Sequence, residues 1–407
     1  MEERAQSGKM PLRALLSLVG LTFSAFIFNT SEFVPVGLLT DIAGTFSLTE
    51  AQTGSMITVY AWAVALLSLP LMVAASRIEF KRLLLFVVAL FGIGQVCSAA
   101  APSFPVLVLS RLLVACAHAI FWSIASVIAT RVAGARHGSL AISMIATGSS
   151  IAMIFGLPLG RAIGLMVGWR LTFACVGAIA FAVFAYLALL MPKVPAGEPF
   201  TLRRLPEIFR TPMLVALYVV TMLFATGYYT GYSYIEPYML KVAHIPSGLV
   251  TVVLTVFGLA GLAGSYLFGR FYDGNRRGFM GFSVLGVAVC LAALRLTGAA
   301  GLPVALGACV LWGLCGTVFN VAAQSETIRY SSHDASAVAM SIFSGLFNVG
   351  IGAGSAVGGA VMTALSLEAV GFVGAAIAFA GFIIFLCTMS RWMGTGAAGG
   401  AGPAKGE

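Results

Sequence analysis

Charge is scarce in this chain. Of 407 residues, 23 are Lys or Arg and 14 are Asp or Glu, so 9% are charged while 60% are hydrophobic. Soluble domains carry about 25% charged residues. A globule surrounded by water is therefore excluded, and bilayer rules govern the fold. Metal-type spacing is also missing. Cys97, Cys116, Cys175, Cys290, Cys309, Cys315 and Cys387 lie in apolar runs with no CxxC pair, which argues against a disulfide framework or a metal site. They read as small buried hydrophobes. His118, His137, His244 and His333 show no metal spacing either. The chain has no GxxxxGK[ST] loop, so nothing points to ATP. It has no nucleophile–base motif, so it does not read as an enzyme, and no cofactor is expected.

What the chain does have is long apolar runs. Twelve are expected to span a membrane, at about 14–39, 52–75, 82–101, 105–131, 139–165, 169–191, 213–240, 248–271, 279–298, 302–328, 336–364 and 368–390. The net charge of +9 could suggest nucleic acid, but its distribution argues otherwise. All of the basic residues except Arg111, Arg161, Arg170, Lys241 and Arg295 fall in alternate loops or at the termini. That is the positive-inside pattern, and it puts both termini in the cytoplasm. The lipid bilayer, not nucleic acid, is the expected macroscopic partner. The run before Leu39 is too long for a signal-peptide core and is kept as the first span.

The halves repeat. The polar stretch 192–212 splits the chain into an expected six-helix bundle at 1–191 and another at 213–390, with a Gly/Ala-rich disordered tail at 391–407. The basic loops SRIEFKR at Ser76 and GRFYDGNRR around Asp273 are offset by 273 − 76 = 197. The segments SEFVP at Ser31 and SYIEP at Ser233 are offset by 202. GxxxGxxxG ridges occur at Gly156, Gly160 and Gly164 and at Gly350, Gly354 and Gly358, with 358 − 160 = 198. Offsets near 200 indicate a duplicated six-helix unit, and the ridges suggest closely packed helices.

Polar residues inside apolar runs are the functional candidates. Glu32 sits in the first span beside Asn29, Thr30 and Ser31 and ahead of Pro35 and Gly37. A carboxylate there is costly and should face the interior or a water-filled cavity. By helical rise, Arg111 lies ~10 Å and Glu32 ~13 Å from the outer ends of their spans. The two are expected to be electrostatically coupled; a static structural pair is the plainer alternative. His118 is two turns after Arg111 on the same face. It suits proton relay and sugar hydroxyls alike, and is expected near the midplane facing Asn348. An amide such as Asn348 can serve a polyol, or can simply bind helices together. Tyr228, Tyr232 and Glu236 recur at i, i+4, i+8, which reads as one stripe of the seventh span. Tyrosine rings can cover sugar faces. Phe28 and Trp122 are expected to shape the same cavity. Glu326 reads as a solvated residue near a loop, and Asn320 and Gln324 carry little weight.

Several motifs resemble those of the major facilitator superfamily of transporters. They are the two six-helix halves, the loop Gly269-x-x-x-Asp273 with Arg276 and Arg277, Arg111 in LVLSRLLVACAH, and Gly168-Trp169-Arg170. Gly156-Leu-Pro158-Leu-Gly160 is similar to the fifth-helix motif of its proton antiporters. The runs AFIFNTSEFVPVGLL (25–39), AHAIFWSI (117–124), GLPLGR (156–161), YSYIEP (232–237) and FSGLFNVGIGAG (343–354) resemble bacterial sugar efflux transporters within it. The resemblance implies an all-α membrane protein of twelve helices in two pseudo-symmetric bundles. It implies proton antiport of small sugars such as arabinose and thiogalactosides, working as a monomer in the bacterial inner membrane. Glu32, Arg111 and His118 would couple protons. Asn29, His118, Trp122, Tyr228, Tyr232, Glu236 and Asn348 would contact sugar. Pro158, Gly269, Asp273 and Arg276 would gate. Ser76 and Met72 depart from the loop signature, so the latch would rest on Glu79 or on the second copy around Asp273. Drug or nucleoside efflux is the alternative within transport. A transport-dead membrane sensor would call for an appended soluble domain, and the short loop and termini offer none.

Overall fold

The structure is a computed structural model that describes residues 10–75, 77–134, 137–195, 205–331 and 336–395. Among them there is no strand; the elements are helices. In chain order these are α1 (Leu12–Gly37), α2 (Leu39–Phe46), α3 (Glu50–Ala75), α4 (Phe80–Ala100), α5 (Phe104–Ala133), α6 (Gly138–Leu190), α7 (Leu205–Phe209) and α8 (Pro212–Tyr232). Then follow α9 (Ile235–Lys241), α10 (Ser247–Phe271), α11 (Arg276–Ala293), α12 (Leu296–Tyr330), α13 (Ser336–Ala364), α14 (Ala369–Cys387) and α15 (Met389–Thr395). A short 3₁₀ turn, Tyr272–Gly274, joins α10 to α11.

Ten helices among the described residues are long and apolar enough to cross a bilayer, or eleven if the bent pair Leu140–Ala152 and Ile154–Val167 counts as one span. Twelve were expected. α3 has the length, 26 residues, but is not one of the ten; it opens on the polar stretch EAQTGS. α6 runs through two expected spans because Gly168, at φ 83°, turns the chain without ending the helical assignment. Gly301, at φ 71°, does the same inside α12. Positive φ is a glycine conformation, so each glycine marks a turn between spans. Part of the expected disordered tail is helical, since α15 reaches Thr395. Ser76 and the rest of the tail lie outside the described residues.

The chain divides into two compact units, Met1–Asp41 with Leu66–Phe200, and Ile42–Ala65 with Thr201–Glu407. The segment Ile42–Ala65, which runs from α2 into α3, falls with the second unit. Its contacts explain this. A Cβ on Gly54 would lie 2.3 Å from the Tyr234 hydroxyl, and the Trp62 indole donates to the Val349 carbonyl at 3.3 Å.

In the first unit, α1 lies along the first half of α6. Cβ atoms added at Gly156, Gly160 and Gly164 would strike Thr30, Val34 and Leu38, the last two at 2.5 and 2.3 Å. In the second unit, Gly350, Gly354 and Gly358 of α13 press in the same way on Ala225, Thr226, Thr230 and Tyr234 of the α8 segment. Lipid gives helices no hydrophobic reason to associate, so missing side chains let dispersion and shape do it. The paired ridges also fix the internal register. Gly350 − Gly156 is 194, and their α1 and α8 partners differ by 196, as in 230 − 34. The offsets of 198 and 202 paired non-equivalent residues.

Candidate functional site

In the first unit the site is organised by a proline. Pro35 has no N–H to bond the carbonyl four residues back, which belongs to Ser31. The buried Arg111 takes that carbonyl, donating Nη2 to Ser31 O at 2.9 Å and Nη1 to Ser31 Oγ at 3.0 Å. Gln95 donates its amide to the same hydroxyl. Further along, Arg161 is 1% exposed and donates to the Gly37 carbonyl at 2.7 Å, where α1 ends. Two intramembrane arginines thus satisfy backbone that the broken end of α1 leaves open, as hydrocarbon requires. Arg111 is held one residue from Glu32. The close polar neighbour of the carboxylate is His118, whose Nε2 lies 3.8 Å from Glu32 Oε2. That distance is longer than a hydrogen bond but close enough that a proton on either group would change the surroundings of the other. The Glu32 side chain keeps 14% exposure and that of His118 5%.

Aromatic rings wall this pair. Phe28 is stacked between Phe91 at 4.1 Å and Phe121 at 4.3 Å. Trp122 stands 6.0 Å from the His118 ring. Asn29 donates its amide to Ser149 Oγ. Pro158 is buried within the α6 ridge that faces α1. The first unit therefore assembles the sequence candidates Phe28, Asn29, Glu32, Arg111, His118 and Trp122 around the last turns of α1 and the middle of α5. Gln95 and Arg161 were not singled out from the sequence. Their signal was the one used for Glu32, a polar side chain inside an apolar run.

In the second unit, Tyr228 and Tyr232 share a stripe with ring centroids 5.3 Å apart. Glu236 does not continue it. The helix breaks at Ser233–Tyr234, and Glu236 belongs to the first turn of the half-helix α9, 1% exposed. Pro237 lacks the N–H that would bond Ser233 O across the break. The tyrosines pack on Trp312, 5.6 Å from Tyr228 and 6.3 Å from Tyr232, and on Phe257, 5.4 Å from Tyr232. Trp312 is fully buried and its indole N–H has no hydrogen-bond partner among the described residues; nothing in its apolar run marks it out. Asn348 turns its amide back to Ser344 O at 3.0 Å, while its buried Oδ1 accepts from no group among the described residues. Asn320 accepts from Gln324 at 2.6 Å along α12.

The loop after α10 and the start of α11 carry two ion pairs. Asp273 does pair with Arg329, at 2.9 Å, but its side chain is 86% exposed. The reading of Glu326 as a solvated loop charge is overturned, since it is fully buried. It accepts from Arg276 Nε at 2.8 Å and Arg276 Nη2, and from the Tyr272 hydroxyl at 2.7 Å. Glu326 lies about one turn before the end of α12 and is covered there by Tyr272 and Arg276, which loop proximity in sequence does not reveal. A Cβ on Gly269 would meet nothing within 4 Å, so packing does not demand glycine there. In the first-half loop, Glu79 accepts from Val194 N at 2.9 Å and so ties the start of α4 to the segment after α6.

The sequence profile of the Major Facilitator Superfamily matches residues 21–273 and 217–395. Among solved structures, the chain is similar to a bacterial homologue of the human lysosomal transporter Spinster in an inward-facing, unoccupied conformation. That match has 18% identity and a TM-score of 0.76, and covers 94% of this chain and 98% of the other. It is also similar to the nucleoside transporter NupG, with 13% identity, TM-score 0.76 and coverage of 92% and 99%. A peptide transporter, POT, matches at 14% identity and TM-score 0.74, covering 92% and 94%. At these identities the structures establish the shared fold.

Proposed function

Because the chain belongs to the Major Facilitator Superfamily, a family of membrane transporters, we propose that it exports small neutral sugars in exchange for protons by alternating access. Glu32 is the proton carrier in this reading. The observation that carries it is the Glu32–His118 pair at 3.8 Å, a partly accessible carboxylate and an imidazole walled by Phe28 and Trp122. A proton on the carboxylate removes an intramembrane charge and changes what His118 can bond, so protonation and cargo binding compete at one place. Arg111 supports this by fixing Ser31, next to Glu32. Asn29, His118 and Trp122 in the first unit, and Tyr228, Tyr232 and Asn348 in the second, are the proposed sugar contacts. The open Oδ1 of Asn348 is an acceptor suited to a hydroxyl.

One charge moved across 100 mV supplies about 2.3 kcal/mol, enough for more than a tenfold gradient of a neutral solute at about 1.4 kcal/mol per decade. The reading includes residence in a bacterial inner membrane, cytoplasmic termini and function as a monomer. Efflux of a nucleoside or an apolar drug is the second reading, favoured by the ring cluster of Tyr228, Tyr232, Phe257 and Trp312. Inverted vesicles containing the protein decide between them. Radiolabelled arabinose or a thiogalactoside should accumulate when the vesicle interior is acidic and not when the gradient is collapsed. Accumulation of a nucleoside but no sugar transfers the assignment to the second reading, and transport of sugar indifferent to the gradient removes proton coupling.

A further inference from the structure

Between α11 and α14 the second unit has a groove of about 430 Å³, open along one side. Its walls are Phe282 and Leu285 from α11 and Phe382, Phe385 and Leu386 from α14. Gly278 and Gly281 line it as well, and a Cβ on Gly281 would come within 3.1 Å of the Phe385 ring. At one end stands Arg277. The two helices run so that the first turns of α11 lie beside the last turns of α14, and Leu285 is two turns, about 12 Å by helical rise, further along than Arg277.

The charge at the groove's end is not used by the fold. Arg276, its neighbour in sequence, is bound to Glu326 and Tyr272 holds the same carboxylate. Arg277 is exposed, and among the described residues it makes no ion pair. Arg270, Arg276, Arg277 and Arg329 gather at this end of the unit, which the positive-inside pattern assigns to the cytoplasmic leaflet. A cation at the polar boundary and a dry channel running from it into the hydrocarbon depth together fit one amphiphile. A free anion would use only the arginine, and an apolar solute only the channel. Basic pockets between membrane helices on this side are suited to anionic head groups.

We propose that this groove binds an anionic phospholipid, its phosphate on Arg277 and one acyl chain lying between α11 and α14. The site is independent of the cargo and the coupling ion. The chain in the hydrocarbon channel sets the depth of the lipid, and the arginine selects the charge of its head group.

The full-length protein in neutral detergent provides the test, by native mass spectrometry with phosphatidylglycerol, phosphatidylcholine and inorganic phosphate as separate probes. Phosphatidylglycerol should bind more tightly than phosphatidylcholine. R277Q should lose about fivefold of that affinity, while R270Q, which removes the same charge from outside the groove, should lose little. L285A should weaken both lipids and leave the preference between them. Equal binding of the two lipids by the unaltered protein overturns the site, and that comparison needs no variant to fold. Equal losses in R277Q and R270Q would mean attraction to surface charge rather than a site. Displacement of phosphatidylglycerol by inorganic phosphate at equal concentration would mean an anion site without a lipid channel.

Discussion

Phe28 stacks on Phe121 in the first unit and Phe224 stacks on Phe319 in the second, at 4.3 and 3.7 Å. The offsets, 224 − 28 = 196 and 319 − 121 = 198, make these the same pair in the two repeats. One turn along, the first unit sets Glu32 beside His118. The same offsets lead to Tyr228 and Gly316, and there a Cβ on Gly316 would lie 2.7 Å from the Tyr228 ring. Where one repeat has an acid and an imidazole, the other has a phenol and the space to hold it. Arg111 has Cys309 as its counterpart by the same arithmetic. The ring pair is present in both copies, and the acid–imidazole pair in the first alone among the described residues. In the second unit the buried acids lie elsewhere, Glu236 in the half-helix and Glu326 under Arg276. An acid and an imidazole in one repeat alone are what the proposed single proton carrier would require.

Glu32→Gln strikes at the asymmetry most directly. It should abolish pH-gradient-driven transport in vesicles while leaving the thermal unfolding profile near that of the unaltered protein. Retained driven transport would remove Glu32 from the mechanism. Glu326→Ala tests whether the second unit's acid is structural instead. It strands Arg276 in a largely buried place, and removing one partner of a buried ion pair costs about 3–5 kcal/mol. A large fall in the melting temperature is expected, and a small one would place Glu326 with the exposed pairs. The glycine ridges should not be equally sensitive. Gly354→Ala drives a Cβ to 2.5 Å from the Thr226 carbonyl, whereas Gly160→Ala meets the Val34 side chain at the same 2.5 Å. Backbone yields less than a side chain, so within the usual overpacking cost of about 1–3 kcal/mol the Gly354 variant should be the less stable. Equal melting temperatures would contradict this.

His118→Ala and Asn348→Ala should each weaken sugar binding by about 1–3 kcal/mol, the cost of leaving a buried polar partner unmatched. Calorimetry on purified protein measures it, and unchanged affinity in both removes them from the site. The smallest effect is expected at Asp273→Asn. The pair with Arg329 is exposed, and such pairs contribute about 0–1 kcal/mol. A marked slowing of transport with unchanged stability, together with shifted spin-label distances, would instead give Asp273 the latch role that the loop signature implies.

Much of this was legible in order along the chain. The runs of apolar residues gave the spans, and Glu32, Arg111 and His118 stood out because charge inside a span is rare. The breaks at Leu38 and Ser233 followed Pro35 and preceded Pro237, as helix chemistry leads one to expect. What failed was register. SEFVP and SYIEP look alike but are offset by 202, and the repeat in three dimensions runs at 196 for these helices. That likeness sets Glu32 against Tyr234, when by packing its counterpart is Tyr228. Glu326 failed for a similar reason. Nearness to a loop along the chain says little about burial, because Tyr272 and Arg276 of the neighbouring loop region close over the carboxylate.

The sequence by itself determined the class of this protein: a chain with 9% charge and long apolar runs can satisfy its backbone in a bilayer only as helices. It also marked where α1 loses a backbone bond, because Pro35 has no N–H to give the Ser31 carbonyl. Tertiary structure decided which group meets that need. Ser31 O could have been bonded by any nearby donor, and only the packing of α5 against α1 brings Arg111 to it and His118 to Glu32. Polarity inside a span is a local property, written residue by residue, whereas partnership depends on which helix face a neighbour presents, and that is settled by side-chain volume across the interface.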